Sequence, residues 1–245
     1  MKIKIIDPIV RSDKNSMLPD KESSRSYLKK FLRADTEIDF VSIEHGFESV
    51  ESVLHVAFNA PEVVLKAKQV REEGYDGVFV NCFDDPGVYG CREIIDIPVF
   101  GGYVPSVITA ASLGGSVGII TTDSNGLYTE AKKAKDNGFE DIIRTIRSVD
   151  LPVLELGRRD TLLDRLTEIC EDSVSKESIR IFVLGCTGMS YIAEELRERL
   201  KAKGCSAAVI EPLATGTRYL EYIIGSGFTN SMNYRIGLDS LKWNY

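Results

Sequence analysis

Two apolar runs of the sequence each end on a cysteine. They are "VFVNCFDDPG" at 78–87 and "IFVLGCTGMS" at 181–190, and their cysteines are Cys82 and Cys186. A thiol can serve as a nucleophile or as an acid and base once its pKa lies near the working pH. A lone cysteine at a strand end is ordinarily a small buried hydrophobe. Two cysteines in matching positions are less expected by chance, so the pair is a candidate catalytic site.

The residues after each cysteine predict the start of a helix. Asp85 is the expected N-cap of the first helix and Pro86 its first residue, and Thr187 is the expected N-cap of the second. Free amide groups and the macrodipole at a helix start favour negative charge. We therefore expect the pKa of both thiols to be lowered toward neutrality. The same amides could hold a carbonyl oxygen whose charge grows during a reaction.

Two thiols that face each other can exchange a proton with both faces of one carbon. A thiolate would remove the proton from one face while the opposing thiol delivers a proton to the other, which inverts the stereocentre without a cofactor. The remaining cysteines have the simpler interpretation of packing. Cys91 and Cys170 fall in predicted helical segments, and Cys205 leads into a predicted strand.

Short apolar runs alternate along the chain with stretches of helical period, as in a doubly wound α/β fold. Continuous apolarity of the runs suits strands of a parallel sheet that is buried on both faces. Helices are predicted over 60–74 and 189–204. The predicted strands are 2–6, 38–43, 77–82, 97–100, 116–121, 179–184 and 206–210. The repeated strand–cysteine–helix order suggests two similar α/β halves with one cleft between them, where ligands of such sheets bind.

The composition excludes several classes of function. The chain has 245 residues, 43% of them hydrophobic and 27% charged, and a net charge of −7 argues against a nucleic-acid surface or an anionic membrane. No stretch approaches about 18 apolar residues, so we expect no membrane span and no signal peptide. Five widely spaced cysteines favour reduced thiols in a cytoplasm. With two histidines and no zinc-ligand spacing, no metal is expected.

The cysteine motifs and the runs around them resemble one known family. "GFESVES" (46–52), "NCFDDPG" (81–87), "REIIDIPVFG" (92–101), "LGCTGMS" (184–190) and "EPL" (211–213) follow one another in the order and spacing of the hydantoin and allantoin racemase branch. That branch is part of the aspartate/glutamate/hydantoin racemase superfamily. Any one motif is weak evidence, but their order and spacing together are specific.

The resemblance implies a cofactor-independent racemase in which Cys82 and Cys186 are the acid and base. It implies two flavodoxin-like halves with the site in the cleft between them: 1–100 with 212–245, and 101–211. It also implies a small-molecule substrate, neither pyridoxal phosphate nor metal, and a homo-oligomer. The expected substrate-binding residues are Asp7, Pro8, Asn81, Phe83, Asp84, Thr121, Thr122, Thr187, Gly188 and Pro212.

The sequence departs from the branch where the substrate would be recognised. "DPIV" (7–10) replaces the usual asparagine-proline-asparagine-threonine run, and Val104 and Pro105 stand where an acidic residue is usual. Asp7 has two interpretations, a cleft residue or part of a strand-ending Asp-Pro turn. The leading hypothesis is a racemase of 5-substituted hydantoins or allantoin. The alternatives are an aspartate- or glutamate-type racemase and a non-catalytic or thiol-sensing binding protein on the same scaffold.

Overall fold

The computed structural model describes residues 1–231, apart from the side chain of Arg71. In that part of the chain, strands and helices alternate from end to end. The strands are β1 (Lys2–Asp7), β2 (Glu37–Ser42), β3 (Gly77–Val80), β4 (Val99–Phe100), β5 (Val117–Thr121), β6 (Ile143–Ser148), β7 (Ile181–Leu184) and β8 (Ala208–Ile210). The helices are α1 (Lys21–Leu28), α2 (Val53–Glu72), α3 (Val88–Ile94), α4 (Tyr103–Ser112), α5 (Ser124–Asp136), α6 (Arg159–Glu177), α7 (Ala193–Ala202) and α8 (Pro212–Gly225). Short 3-10 helices cover Asp13–Asn15, Val153–Glu155 and Thr187–Ile192.

The strands form two four-stranded parallel sheets with the same internal order. The first sheet runs β2-β1-β3-β4 and the second runs β6-β5-β7-β8. Every strand pairing within the two sheets is parallel. The predicted α/β fold with two pseudo-symmetric halves is therefore confirmed. β3 and β7 hold equivalent third positions in their sheets, so equivalent turns follow them.

β3 and β7 form because their side chains are apolar on both faces. All four residues of each strand are buried, as expected for central strands of a parallel sheet covered by helices on both sides. Phe79 of β3 and Phe182 of β7 have no exposed surface. Burial of a large apolar side chain contributes about 1.5–3 kcal/mol to folding, so these strands are fixed firmly within their sheets.

Each of the seven predicted strands overlaps an observed strand, and the structure adds an eighth. β6 has the sequence "IRTIRS", in which Arg144 and Arg147 interrupt the apolar pattern. It lies at the edge of the second sheet, where one side of the strand has no neighbouring strand to pair with. A strand in this position does not need a continuous apolar run, and the search for such runs therefore missed it.

Both predicted helices are present with different starting points. The segment 60–74 is the second part of α2, which begins at Val53 after the Ser52 N-cap and contains Pro61. Its predicted inner face packs in the core, since Val63, Ala67 and Val70 are buried. The predicted helix over 189–204 begins instead as the 3-10 helix Thr187–Ile192, and regular α-helix follows only from Ala193.

Helix α8 packs against β3, β4 and α4. The close approach depends on Gly216, because a Cβ atom there would lie 2.4 Å from Cε2 of Phe79. The predicted domain boundaries, 1–100 with 212–245 and 101–211, stay a prediction. The "LKWNY" tail of the first predicted domain lies outside the described residues. No helix within residues 1–231 is both long and apolar enough to cross a membrane.

We expect Gly216→Ala to lower the free energy of unfolding by about 1–3 kcal/mol, because the new methyl group overpacks the contact with Phe79. Gly225→Ala in the same helix is the matched control. A Cβ at Gly225 meets no atom within 4 Å, so this change should be neutral or stabilising by up to about 1 kcal/mol. Urea denaturation measures both variants. Equal stability of the two would contradict the close packing of α8.

Candidate active site

A pocket lies between the two sheets, beyond the carboxyl ends of β1, β3 and β7. Its empty volume is about 540 Å³, part of which is open to solvent. Ligands of parallel α/β sheets bind at this end of the strands. The residues that line it are Asp7, Pro8, Ile9, Arg11, Leu18, Pro19, Ser24, Val50, Asn81, Cys82, Val153, Cys186, Thr187, Gly188 and Tyr191. The two strand-ending cysteines thus reach one cavity, one from each sheet.

Cys82 lies on a tight turn directly after β3. The backbone N–H of Asp84 donates to its Sγ over 3.4 Å, and the N–H of Gly102 donates to its carbonyl oxygen over 3.0 Å. The predicted capping by Asp85 and Pro86 is wrong. Helix α3 begins later, at Val88, after Gly87 with a φ of 75°. Asp85 instead has a φ of 51°, and its carboxylate accepts the N–H of Tyr103 over 3.2 Å.

Cys186 occupies the equivalent turn after β7 and is itself the N-cap of the 3-10 helix Thr187–Ile192. The prediction of Thr187 as N-cap is wrong, because its hydroxyl donates to the carbonyl oxygen of Asn81 over 3.2 Å. Gly188 has no side chain that could cover the thiol of Cys186. A Cβ there would lie 3.5 Å from the sulfur of Cys186 and 2.9 Å from Cδ1 of Leu156. Any side chain at this position would crowd the pocket.

The expected lowering of the two thiol pKa values is wrong in its net direction. Burial raises the pKa of Cys82 well above its ordinary value, and the nearby Asp84 carboxylate adds to this. Burial also raises the pKa of Cys186 to about 12, although the N–H groups of Gly188 and Met189 act in the opposite direction. The backbone donors are therefore present at the thiols, but the loss of hydration outweighs them.

One wall of the pocket is polar and internally paired. Asp7 is buried at the end of β1, where its carboxylate accepts from Arg11 Nη2 and from Asn81 Nδ2, both over 2.9 Å. Two buried atoms of this wall have no hydrogen-bond partner among the described residues, a donor at Arg11 Nε and an acceptor at Asn81 Oδ1. Asp7 thus neutralises the charge of Arg11 within the wall.

Another part of the lining, the apolar wall, is hydrophobic. It consists of Ile9, Leu18, Val50 and Val153, which come from the β1–α1, β2–α2 and β6–α6 connections. Val50 and Val153 are almost entirely buried. The pocket therefore offers an uncharged hydrogen-bonding side and a hydrophobic side.

Seven of the predicted site residues line this pocket: Asp7, Pro8, Asn81, Cys82, Cys186, Thr187 and Gly188. The other five are outside its lining: Phe83, Asp84, Thr121, Thr122 and Pro212. Phe83 packs edge-on against Tyr103, and Asp84 is paired with Lys133. Thr121 packs against Gly126 of α5, and Pro212 begins α8.

Seven lining residues were not predicted from the sequence: Arg11, Leu18, Pro19, Ser24, Val50, Val153 and Tyr191. Val50 lies inside the "GFESVES" run, whose resemblance to the family could have marked it as a site residue. Val153 follows β6, the strand that the apolar pattern missed. Leu18 and Pro19 belong to the segment between β1 and α1, where no chemistry-bearing motif marks them. Within residues 1–231, no group of three or more His, Cys, Asp or Glu side chains is placed to hold a metal ion.

Comparison with known proteins identifies the family. A sequence model described as "Asp/Glu/Hydantoin racemase" matches residues 22–220. The chain belongs to this racemase family. It is therefore an enzyme of the isomerase class, and the family predicted from the sequence motifs is confirmed.

Individual relatives of this family member fall in the hydantoin and allantoin branch. A hydantoin racemase of Pseudomonas sp. (strain NS671) is 28% identical over 229 residues, which cover 93% of this chain and 87% of the relative. A hydantoin racemase of Rhizobium meliloti is 30% identical over 187 residues, covering 75% and 74% of the two chains. The solved structure of allantoin racemase from Klebsiella pneumoniae is similar with a TM-score of 0.84 and 25% identity, covering 94% and 90%.

The raised pKa values of the two thiols can be tested by alkylation at different pH values. We expect alkylation of Cys82 and Cys186 by iodoacetamide to keep accelerating above pH 9, because burial raises the pKa of both thiols. A free cysteine derivative, with a pKa of about 8.5, serves as the control and should level off earlier. Peptide mass spectrometry follows each cysteine separately. A plateau below pH 8 at either residue would contradict the raised pKa values.

Proposed function

We propose that the protein racemises small cyclic ureides, using Cys82 and Cys186 as a paired acid and base. The observation that carries the proposal is that both cysteines line one pocket from opposite sheets. Each lies on the turn after the third strand of its sheet, so the pseudo-symmetry brings the thiols to the cleft from two sides. A substrate carbon between them would be accessible to one thiol on each face.

In the proposed reaction, one proton leaves the substrate carbon and another is added to its opposite face. The thiolate of one cysteine takes the hydrogen from the carbon next to the carbonyl, and the C–H electron pair moves into an enolate. The thiol of the other cysteine then protonates the opposite face of that carbon. At the end the substrate is inverted and the two cysteines have exchanged protonation states, so the reverse reaction uses the same groups. No external oxidant or reductant is needed.

Raised thiol pKa values suit such a reaction in two ways. A thiol with a raised pKa stays protonated until the carbanion forms, which keeps the acid available. A thiolate in the same setting is a stronger base than one in water, although fewer molecules hold it at neutral pH. The N–H groups of Asp84 and Gly188 at the two sulfurs would stabilise whichever thiolate forms.

The polar wall supports an uncharged amide-like substrate. The two ionised side chains of this wall, Asp7 and Arg11, are paired with each other, so the wall presents no unpaired charge to a ligand. A ureide ring carries C=O and N–H groups without a full charge, which suits such a wall. A free amino acid would bring a charged carboxylate, which backbone N–H groups would have to hold alone. Arg11, the one cation in the described lining, is already paired with Asp7.

The apolar wall supports a hydrocarbon substituent on the ring carbon. Leu18, Val50 and Val153 would exclude water from an alkyl group, whereas a polar ureido group would lose its hydrogen bonds there. We therefore infer a 5-alkyl hydantoin in preference to allantoin. The similarity to two curated hydantoin racemases agrees with this choice. The predicted homo-oligomer and cytoplasmic location stay predictions.

The mechanism is tested by deuterium exchange in D₂O with each enantiomer of 5-isobutylhydantoin. The wild-type protein should invert either enantiomer and incorporate deuterium at the stereocentre. Cys82→Ala and Cys186→Ala should each lose racemisation by at least about 1,000-fold, because one face of the carbon then lacks its proton carrier. Any residual exchange should occur without inversion, on one enantiomer only, and on opposite enantiomers in the two variants.

Cys91→Ala is the control for loss of a thiol, since Cys91 is buried outside the pocket. Racemisation that survives either pocket substitution at full rate would refute the paired-cysteine mechanism. Tight binding without exchange for hydantoins, allantoin, aspartate and glutamate would favour the binding-protein alternative. Inversion of aspartate or glutamate alone would favour the amino-acid alternative.

Substrate preference is tested separately. We expect kcat/KM for 5-isobutylhydantoin to exceed that for allantoin by at least about 10-fold, because burial of the alkyl group is worth more than 1.4 kcal/mol. Val153→Ala should lower the value for the alkyl substrate several-fold and change the value for allantoin little. Leu54→Ala, at an exposed position of α2, is the control and should change neither. A higher kcat/KM for allantoin would contradict the proposed preference.

A further inference from the structure

A buried lysine of the second half reaches the turn that carries Cys82 in the first. Lys133, on α5, has a side chain only 15% exposed. Its ammonium contacts three oxygens: Asp84 Oδ1 at 2.7 Å, Glu130 Oε1 at 2.8 Å and the carbonyl oxygen of Phe83 at 3.0 Å. It therefore bonds with all three of its N–H groups, two of them to the turn after β3.

Aromatic rings enclose the same ammonium. Its nitrogen lies 4.5 Å from the ring centroids of both Phe83 and Tyr103. Withdrawing an ammonium from water is expensive, and packing alone would be served better by an apolar side chain. The burial of a charged side chain here therefore indicates a role other than stabilising the cleft.

Lys133 contacts the peptide group between Phe83 and Asp84. The carbonyl of Phe83 and the N–H of Asp84 belong to one planar peptide unit, and they point in opposite directions across it. Lys133 binds the oxygen end, and the N–H end donates to Cys82 Sγ over 3.4 Å. A cation on the carbonyl orients this peptide and polarises its N–H, which strengthens the hydrogen bond to the sulfur.

We propose that Lys133 is a positioning residue for Cys82, which it acts on through the peptide between Phe83 and Asp84. Its ammonium fixes the direction of that N–H and brings a positive charge to one of the two thiols. The catalytic meaning of this role rests on the proposed function of Cys82, whereas its effect on thiol reactivity does not. At Cys186 the donors are the N–H groups of Gly188 and Met189.

The charges around Cys82 set the sign of the effect. Burial raises its pKa most, and the charges of Asp84 and Cys186 raise it further. The N–H of Asp84 and the charge of Lys133 lower it. Asp7 and Arg11, which line the same pocket, form a neutral pair.

Lys133 itself stays protonated throughout the working range. Burial lowers its pKa, but Asp84 and Glu130 reverse this and raise it above the ordinary value. Asp85, Tyr103 and Glu130 also face this cation, and each has a pKa raised mainly by burial. Removing the cation must therefore raise the pKa of Cys82 and move formation of its thiolate to higher pH.

The first experiment compares thiol alkylation in the wild type, Lys133→Gln and Lys132→Gln. Lys132 is the matched control, since it is the preceding residue of α5 but pairs with Asp136 on the exposed surface. At pH 8 we expect Lys133→Gln to slow iodoacetamide alkylation of Cys82 by about 3-fold. One pKa unit lowers the thiolate fraction about 10-fold, and the more basic thiolate is roughly 3-fold more reactive. Cys186 should change by less than about two-fold, and Lys132→Gln should leave both cysteines unchanged.

The second experiment isolates each thiol during exchange. Lys133→Gln should slow the residual deuterium exchange of Cys186→Ala, which depends on Cys82, by about 3-fold for the same reason. It should leave the residual exchange of Cys82→Ala, which depends on Cys186, within about two-fold. If the wild-type protein itself exchanges no deuterium, the proposed racemase mechanism fails. Selective slowing of Cys82 alkylation would still support the role of Lys133.

Lys133→Gln leaves two buried carboxylates without their cation and can impair folding. The double variant Lys133→Gln with Glu130→Gln removes a buried acid together with the cation, and we expect it to show the same selective loss at Cys82. Circular dichroism and thermal unfolding establish that each variant is folded. Equal slowing at both cysteines in a folded variant would overturn the proposal, as would unchanged alkylation of Cys82.

Discussion

The partial withdrawal from water of two thiols, both half-buried at strand ends, is the constraint on which the rest of this structure depends. A strand end on a single sheet is open to solvent on one side, so one sheet alone would leave its cysteine hydrated. Two sheets with the same strand order, placed with their carboxyl edges together, cover both turns at once. The pocket exists because each sheet closes the other, and the same closure raises the pKa of both Cys82 and Cys186.

The arrangement is held by polar contacts that cross between the two halves. Thr187 donates to the carbonyl of Asn81 beside the cysteines, and Tyr27 of α1 donates to the carbonyl of Ser190 over 2.9 Å. Lys133 makes a further contact, to the turn that carries Cys82. A displacement of one sheet would break several of these contacts together, so the positions of the two thiols are coupled to the fold of the whole cleft.

The sequence predicted the features that depend on local pattern. Continuous apolarity identified the central strands β3 and β7, and the motifs after them identified the two cysteines and the family. It did not predict features that depend on residues distant in the chain. A helix start predicted lowered thiol pKa values, but burial in the folded protein outweighs it. Asp85 and Pro86 looked like a helix start, whereas Gly87 takes the positive φ that the turn requires. Lys133 gave no signal, because its partners at 83–84 are distant in the chain.

Pseudo-symmetry of the fold and asymmetry of its charges are compatible in a racemase. Two enantiomers have equal free energy in water, so kcat/KM must be equal in the two directions whatever the enzyme does. A cation next to Cys82 therefore cannot favour one product at equilibrium. In the proposed mechanism it can only decide which thiol more readily holds the negative charge in the resting enzyme, and hence for which enantiomer the base is already ionised. The backbone supplies two equivalent turns, and one buried lysine on α5 makes the two thiols chemically distinct.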